Sequence, residues 1–274
     1  MLDPTRPRGP HIIAVANQKG GVGKTTTAIN LAAALAERGK KILLVDLDPQ
    51  GNASTGLGVE PHARRATTYD LLLDDIPVAD VIVATTVSGV WLSPATTDLS
   101  SADMELVANE KRSFLLYDAL HQPALDAWFF DFILIDCPPS LSLLTVNALV
   151  AANAVLVPLQ AEFFALEGLT QLMLTIREVR QTANTLLRIE GVVLTMYDTR
   201  NNLSQQVEAD ARATLGELVF RTMIPRNVRI SEAPSHALPV LAYDSASKGS
   251  AAYRALAGEL LARHAPVQAE RAPR

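Results

Sequence analysis

The sequence predicts a single α/β domain, built on a mostly parallel sheet with helices on both faces. Three observations carry that prediction. Short apolar runs that each end in polar residues recur along the chain, as HIIAVA, KILLVD, FDFILID, AVLVPLQ and IEGVVLT. Stretches with helical periodicity, such as LEGLTQLMLTIREVRQ, lie between them. The apolar runs lack alternation with polar residues, the mark of strands covered on both faces. In such sheets ligands sit beyond the carboxyl ends of the strands. Lys19, Asp46, Asp48, Asp136, Gln160 and Asp198, which follow the runs, are therefore expected on one rim.

The elements follow in order. Residues 1–10 are rich in Pro and Arg and read as a flexible arm. His11–Ala16 is the first strand, and TTTAINLAAALAERG is a helix ending at Gly39. Ile42 to Val45 form the second strand, which breaks into the polar loop DLDPQGN. Residues 59–130 are less regular; VWLSPAT reads as a further strand and Ser113–His121 as a helix. The domain is expected over 11–264, with a disordered tail over 265–274.

Bulk properties bound the function. With 274 residues and 49% hydrophobic content, the chain can bury an aliphatic core as one large domain. One cysteine, Cys137, excludes a disulfide framework and fits a reducing cytoplasm. No apolar run approaches the ~20 residues of a membrane span, and MLDPTRPRGP lacks the apolar stretch of a signal peptide. A net charge of −5 argues against a uniformly basic nucleic-acid binder but leaves room for a local basic face. Arginines are scattered through the C-terminal half among acids, a composition that by itself reads as a solvated mixed surface. The five histidines (His11, His62, His121, His236, His264) show no metal-ligand spacing and read as structural.

The sharpest chemical signal is NQKGGVGKTTTAIN, residues 17–30. A strand, a glycine-rich turn, Gly-Lys-Thr and then a helix make a phosphate loop. Gly20, Gly21 and Gly23 let backbone N–H groups curl around an anion, and the helix start adds its dipole. Lys24 would reach the β- and γ-phosphates, and the Thr25 hydroxyl would bind Mg²⁺. The usual pattern wants glycine where this chain has Gln18, and the loop carries a second lysine, Lys19. FILIDCPPS supplies Asp136, placed to hold a metal-bound water. In DLDPQGN, Asp46 is a candidate for the metal's vicinity and Asp48 for orienting or deprotonating the attacking water. The plainer alternative is that both cap the loop.

KGGVGKTT, DLDPQGN, LIDCPPS, PLQAEFFALEGL, TMYDTRNNLSQQV and IPRNVRISEAPSHALPV occur in that order from residue 19 to about 240. Together they resemble the ParA/Soj family of deviant-Walker ATPases, which segregate bacterial chromosomes and plasmids. The resemblance implies a P-loop NTPase fold that uses ATP/ADP and Mg²⁺. It implies that Lys19 crosses to the partner subunit's nucleotide, so that ATP joins a symmetric homodimer, and that Gly20 stays free of a side chain at that seam. Lys19, Lys24 and Asp48 would carry the slow ATPase reaction. Gly21, Val22, Gly23, Lys24, Thr25 and Thr26 would cradle phosphates and metal, with Pro225 and Asn227 against the adenine. Arg200 and Arg229, with Arg226 as a further candidate, would contact duplex DNA without sequence preference. A ParB/Spo0J-type partner would stimulate hydrolysis, and the protein would associate with the nucleoid. A first strand at residue 11 leaves no N-terminal helix-turn-helix extension, so operator-specific binding is not expected. Two alternatives stand beside this reading. One is an orphan relative that positions another cargo. The other is a MinD-like membrane-positioning ATPase, for which the Ala-rich, lightly charged C-terminal stretch is a poor anchor.

Overall fold

A computed structural model describes residues 9–74, 76–162 and 165–264. The expected arm (apart from Gly9 and Pro10) and the expected tail lie outside the described residues, as do Phe163 and Phe164 of the PLQAEFFALEGL motif. Seven strands form one sheet: β1 (His11–Val15), β2 (Ile42–Asp46), β3 (Val83–Ala84), β4 (Val90–Ser93), β5 (Phe132–Asp136), β6 (Ala154–Gln160) and β7 (Arg188–Thr195). Their spatial order is β3-β4-β2-β5-β1-β6-β7. Every pairing is parallel except β3 with β4. The first strand thus lies inside the sheet, flanked by β5 and β6.

The unbroken apolar runs explain this burial. Along β1, Ile12 and Ala14 face one hydrophobic cluster while Ile13 and Val15 face the other. The second cluster is closed by the helices Lys24–Ala36 and Lys248–Arg263, the first by Leu143–Ala151 and Ala165–Thr182 among others. The helix Lys24–Ala36 owes its regularity to Ala and Leu, the strongest helix formers. The turn that ends it places Gly39 at φ 77, in the left-handed region that glycine enters without penalty. Asn30, buried inside this helix, accepts from Val240 N at 2.7 Å and so ties it to the segment before the last helix.

Two features were not anticipated. Within 59–130 the expected strand VWLSPAT is β4 and the expected helix over Ser113–His121 is Leu115–Leu120, but β3 and several further short helices around them were unforeseen. In β7, Ile189 pairs with Val155 and Gly191 with Leu156, so Glu190 is an extra residue in the ladder. That bulge re-aims Glu190 toward His11, at the start of β1, and His264, which caps the helix Lys248–Arg263. Histidines remote in sequence therefore meet on one carboxylate.

Candidate nucleotide site

The phosphate loop is fixed from behind before it meets any ligand. Asn17 donates to Pro158 O at 2.8 Å and accepts from Lys19 N at 3.0 Å, clamping the loop to β6. Thr195, at the end of β7, donates to Val22 O at 2.8 Å. Gly21 and Gly23 have φ values of 75 and 85, so both need a residue without Cβ. Gly20 is different. Its φ is not positive, and a Cβ there would meet Pro139 Cβ at an ordinary 3.9 Å. Among the described residues nothing requires glycine at that position.

Gly23 caps the helix Lys24–Ala36 with no side-chain hydrogen bond, so its opening N–H groups remain for an anion. Lys24 is buried, and its ammonium donates to Lys19 O at 3.1 Å. Burial pushes its pKa down, while Asp136, Cys137 and Asp48 oppose that shift. Lys19 points the other way, its ammonium 3.3 Å from Glu162 Oε2, with both side chains partly exposed. It borders a cleft of about 570 Å³ together with Gln160, Glu162, Asp198, Asn201 and Arg226.

The three acids behave differently. Asp136 is fully buried, and neither carboxylate oxygen has a hydrogen-bond partner of good geometry. Burial and the neighbouring Asp46 push its pKa up; Thr25 and Lys24 lie close enough to pull it partly back. An orphaned buried carboxylate beside a Gly-Lys-Thr turn is a group awaiting a cation or its water shell. The residues present therefore fit Mg²⁺. Asp46, its register partner across β2 and β5, is spoken for. One oxygen accepts from Ser54 N at 2.8 Å and Ser54 Oγ at 2.6 Å, and the other from Asp48 N at 3.3 Å. Burial raises its pKa to about 6 against those hydrogen bonds. Those bonds make Asp46 an anchor of the loop that carries Asp48. Asp48 accepts from Gln50 N at 3.0 Å and faces the same end of the sheet at 8% exposure.

The rim expected from the sequence is present: Lys19, Gln160 and Asp198 border one cleft, and Asp46, Asp48 and Asp136 gather beside Lys24. Pro225 bridges to Tyr197, and Asn227 caps the short helix Val228–Glu232 by accepting from Arg229 N at 2.9 Å. Arg226 lines the cleft, whereas Arg200 and Arg229 lie outside it. Both outer arginines are already paired. Arg200 forms two 3.1 Å contacts to Asp198; Arg229 meets Glu232 at 2.8 Å and Asp244 at 3.3 Å. Sequence reasoning missed Asn17, Thr195, Ser54 and Arg64. Arg64 donates to Ala95 O at 2.7 Å and to Thr55 Oγ1 at 2.8 Å, stitching the loop after β2. Asn17 and Thr195 had a signal, each as the polar residue at the end of an apolar strand.

Known proteins agree with this geometry. Residues 10–189 match the AAA domain family described as AAA_31. The chain is 56% identical over 261 residues to the chromosome partitioning protein ParA of Caulobacter vibrioides, covering 95% of this chain and 97% of that one. It is 51% identical over 251 residues to the sporulation initiation inhibitor protein Soj of Bacillus subtilis, covering 92% and 98%. Among solved structures, a Mycobacterium smegmatis protein described as cobyrinic acid a,c-diamide synthase, with bound ADP and magnesium, superposes with a TM-score of 0.80. Its identity to this chain is 41%, and the coverage is 93% of this chain and 95% of that one. The glycine turn with its two lysines, the orphaned strand-end aspartate and relatives matched almost end to end converge: the chain belongs to the ParA/Soj family of chromosome-partitioning ATPases.

Proposed function

We propose that this chain is an ATP-driven DNA-partitioning switch. Mg·ATP joins two copies face to face, the pair binds duplex DNA without sequence preference, and hydrolysis stimulated by a ParB/Spo0J-type partner returns single chains to solution. The observation that carries the reading is the contrast between the two loop lysines. Lys24 is buried and turned inward, while Lys19 is turned outward onto Glu162. A part-exposed pair of that kind contributes about 0–1 kcal/mol, so a phosphate on a facing chain can take over the Lys19 ammonium.

Bound Mg·ATP supplies the phosphoryl group and its electrophilic activation. The chain does the rest. Gly21, Val22 and Gly23 present backbone N–H groups, and Lys24 turns from the Lys19 carbonyl to the phosphates. Thr25 and Asp136 would hold the ion, and Thr26 would add a phosphate contact. Asp48 positions the attacking water, and Pro225 and Asn227 flank the adenine. Gly20 sits at the seam, where a facing backbone rather than its own chain forbids a side chain. The chemistry predicts that Asp48→Ala, saturated with Mg·ATP, scatters light as two chains. A single-chain mass under those conditions overturns the proposal.

The likeness to the synthase favours a second reading, ATP-dependent amidation. A synthase that draws ammonia from glutamine needs an accessible thiolate. Cys137 is fully buried, and burial pushes its thiol pKa up, which supports partitioning over amidation. The membrane-positioning alternative is disfavoured by the helix Lys248–Arg263, whose Tyr253, Leu256, Ala257 and Leu260 are spent on the core. Among the described residues no helix is long and apolar enough to cross a membrane.

A further inference from the structure

We propose that His11, Glu190 and His264 form a binding site for a divalent transition-metal ion, and that Zn²⁺ is the ion the ligand set suits. The site is separate from the phosphate loop. His11 opens β1 at the end of the sheet remote from that loop, which follows the other end of the same strand. Three elements converge there: the start of β1, the bulge in β7 and the C-terminal end of the helix Lys248–Arg263.

The geometry is that of a ligand set. His11 Nε2 lies 3.1 Å from Glu190 Oε2, and His264 Nε2 lies 2.9 Å from Glu190 Oε1. The ligand atoms of all three residues fall within 4.8 Å of one another. Two ligands at about 2.1 Å from one ion stand roughly 3.0–3.4 Å apart for angles between square and tetrahedral. The two His–Glu separations, 3.1 and 2.9 Å, lie at the lower end of that span, and the two imidazole nitrogens are within 4.8 Å of each other. Two imidazoles and a carboxylate favour zinc and its first-row neighbours over Ca²⁺ or Mg²⁺, which prefer all-oxygen sets.

The surroundings hold the ligands in place. Phe132 meets both imidazoles edge-on, with centroids 6.0 and 6.2 Å away. Arg263 donates to Glu190 O at 2.9 Å, fixing the bulge, while its charge is shared with Glu259 at 3.4 Å and with the Phe220 ring at 3.8 Å. The Glu190 side chain is 4% exposed and the histidines 18% and 23%, so the carboxylate is withdrawn while both imidazoles remain reachable from solvent. In the metal-free chain each Nε2–H donates to Glu190. An entering Zn²⁺ takes the Nε2 lone pair of each imidazole, whose ring proton moves to Nδ1, and water completes its shell. The ion would then clasp the first strand to the last helix.

The test uses the full-length chain without an affinity tag, stripped of metal by chelation and titrated with Zn²⁺ alone by calorimetry. One ion per chain is expected. His11→Ala, His264→Ala and Glu190→Gln should each weaken binding at least about tenfold, and His62→Ala should leave it unchanged. At Zn²⁺ about 100-fold above its dissociation constant, the melting temperature should rise by roughly 5 °C or more. No binding, or binding that is unchanged in both histidine variants, overturns the site. If a variant fails to fold, anomalous diffraction at the zinc edge from the unaltered chain decides. An ion bonded to the three named atoms supports the site, and zinc bound only elsewhere refutes it. Neither result bears on dimerisation, which the light-scattering experiment reads separately.

Discussion

Asp136 is fully buried with no hydrogen-bond partner of good geometry, so the fold penalises its charged form and pushes its pKa up. Leaving such a group unsatisfied costs about 1–3 kcal/mol, more when it is charged. Asp136→Asn should therefore raise the melting temperature of the chain without nucleotide, and abolish the extra stability that Mg²⁺ adds in the presence of ADP. Thermal melts with and without Mg·ADP check both halves, and a variant that melts below the parent contradicts the reading. Gly20 offers a companion prediction. Its own chain leaves room for a side chain, so Gly20→Val should fold and bind nucleotide with near-parental affinity. It should nevertheless fail to form the two-chain species in the same light-scattering assay, because the obstruction arises only between chains. At this scale the sequence was most readable where spacing itself encodes chemistry, as for Lys24, Thr25 and Asp136. It was mute where a side chain's partner lies far along the chain. Asn17 works through Pro158, Ser54 through Asp46, and Arg64 through Ala95, and no local pattern announces those pairings.

At the scale of elements, strands buried on both faces were legible because an apolar run admits few other interpretations once helices separate it from the next. Over 59–130 only VWLSPAT and Ser113–His121 were legible, as β4 and the helix Leu115–Leu120; the remaining helices were not, because they are short and their faces are set by what they pack against. One local signal was available: Thr67 and Asp70 form a reciprocal capping box that starts the helix Thr68–Leu73. The bulge in β7 was invisible, since an extra residue in a ladder is defined only by its neighbour. Its tightness yields a prediction. A Cβ on Gly191 would fall 2.5 Å from the Phe220 ring and 2.8 Å from both Leu218 O and Arg263 Nη1. Gly191→Ala should destabilise the chain by about 2 kcal/mol through overpacking, measurable by urea unfolding. An unchanged midpoint would mean that the bulge relaxes freely.

For the whole molecule, the proposed function raises the question of how a chain of net charge −5 would engage duplex DNA. The arginines assigned to that task are each held by carboxylates, Arg200 by Asp198 and Arg229 by Glu232 and Asp244. A phosphate must displace those partners, so one chain gains little from each contact. Two chains joined by ATP present the set twice on one surface, and affinity then rises steeply while remaining salt-dependent. Arg200→Glu and Arg229→Glu should abolish DNA binding at moderate salt and leave hydrolysis without DNA near the parental rate. Binding by both variants across a salt series would remove these residues from the interface.

The contact between Lys19 and Glu162 has a consequence for the energetics of assembly. A solitary chain satisfies its projecting cation internally, so under the proposed pairing the encounter of two chains swaps one counter-anion for another. Such a swap is nearly thermoneutral and can run in either direction. The driving force for association would then reside in the triphosphate, and once the terminal phosphate is lost the lysine has a ready place to return to.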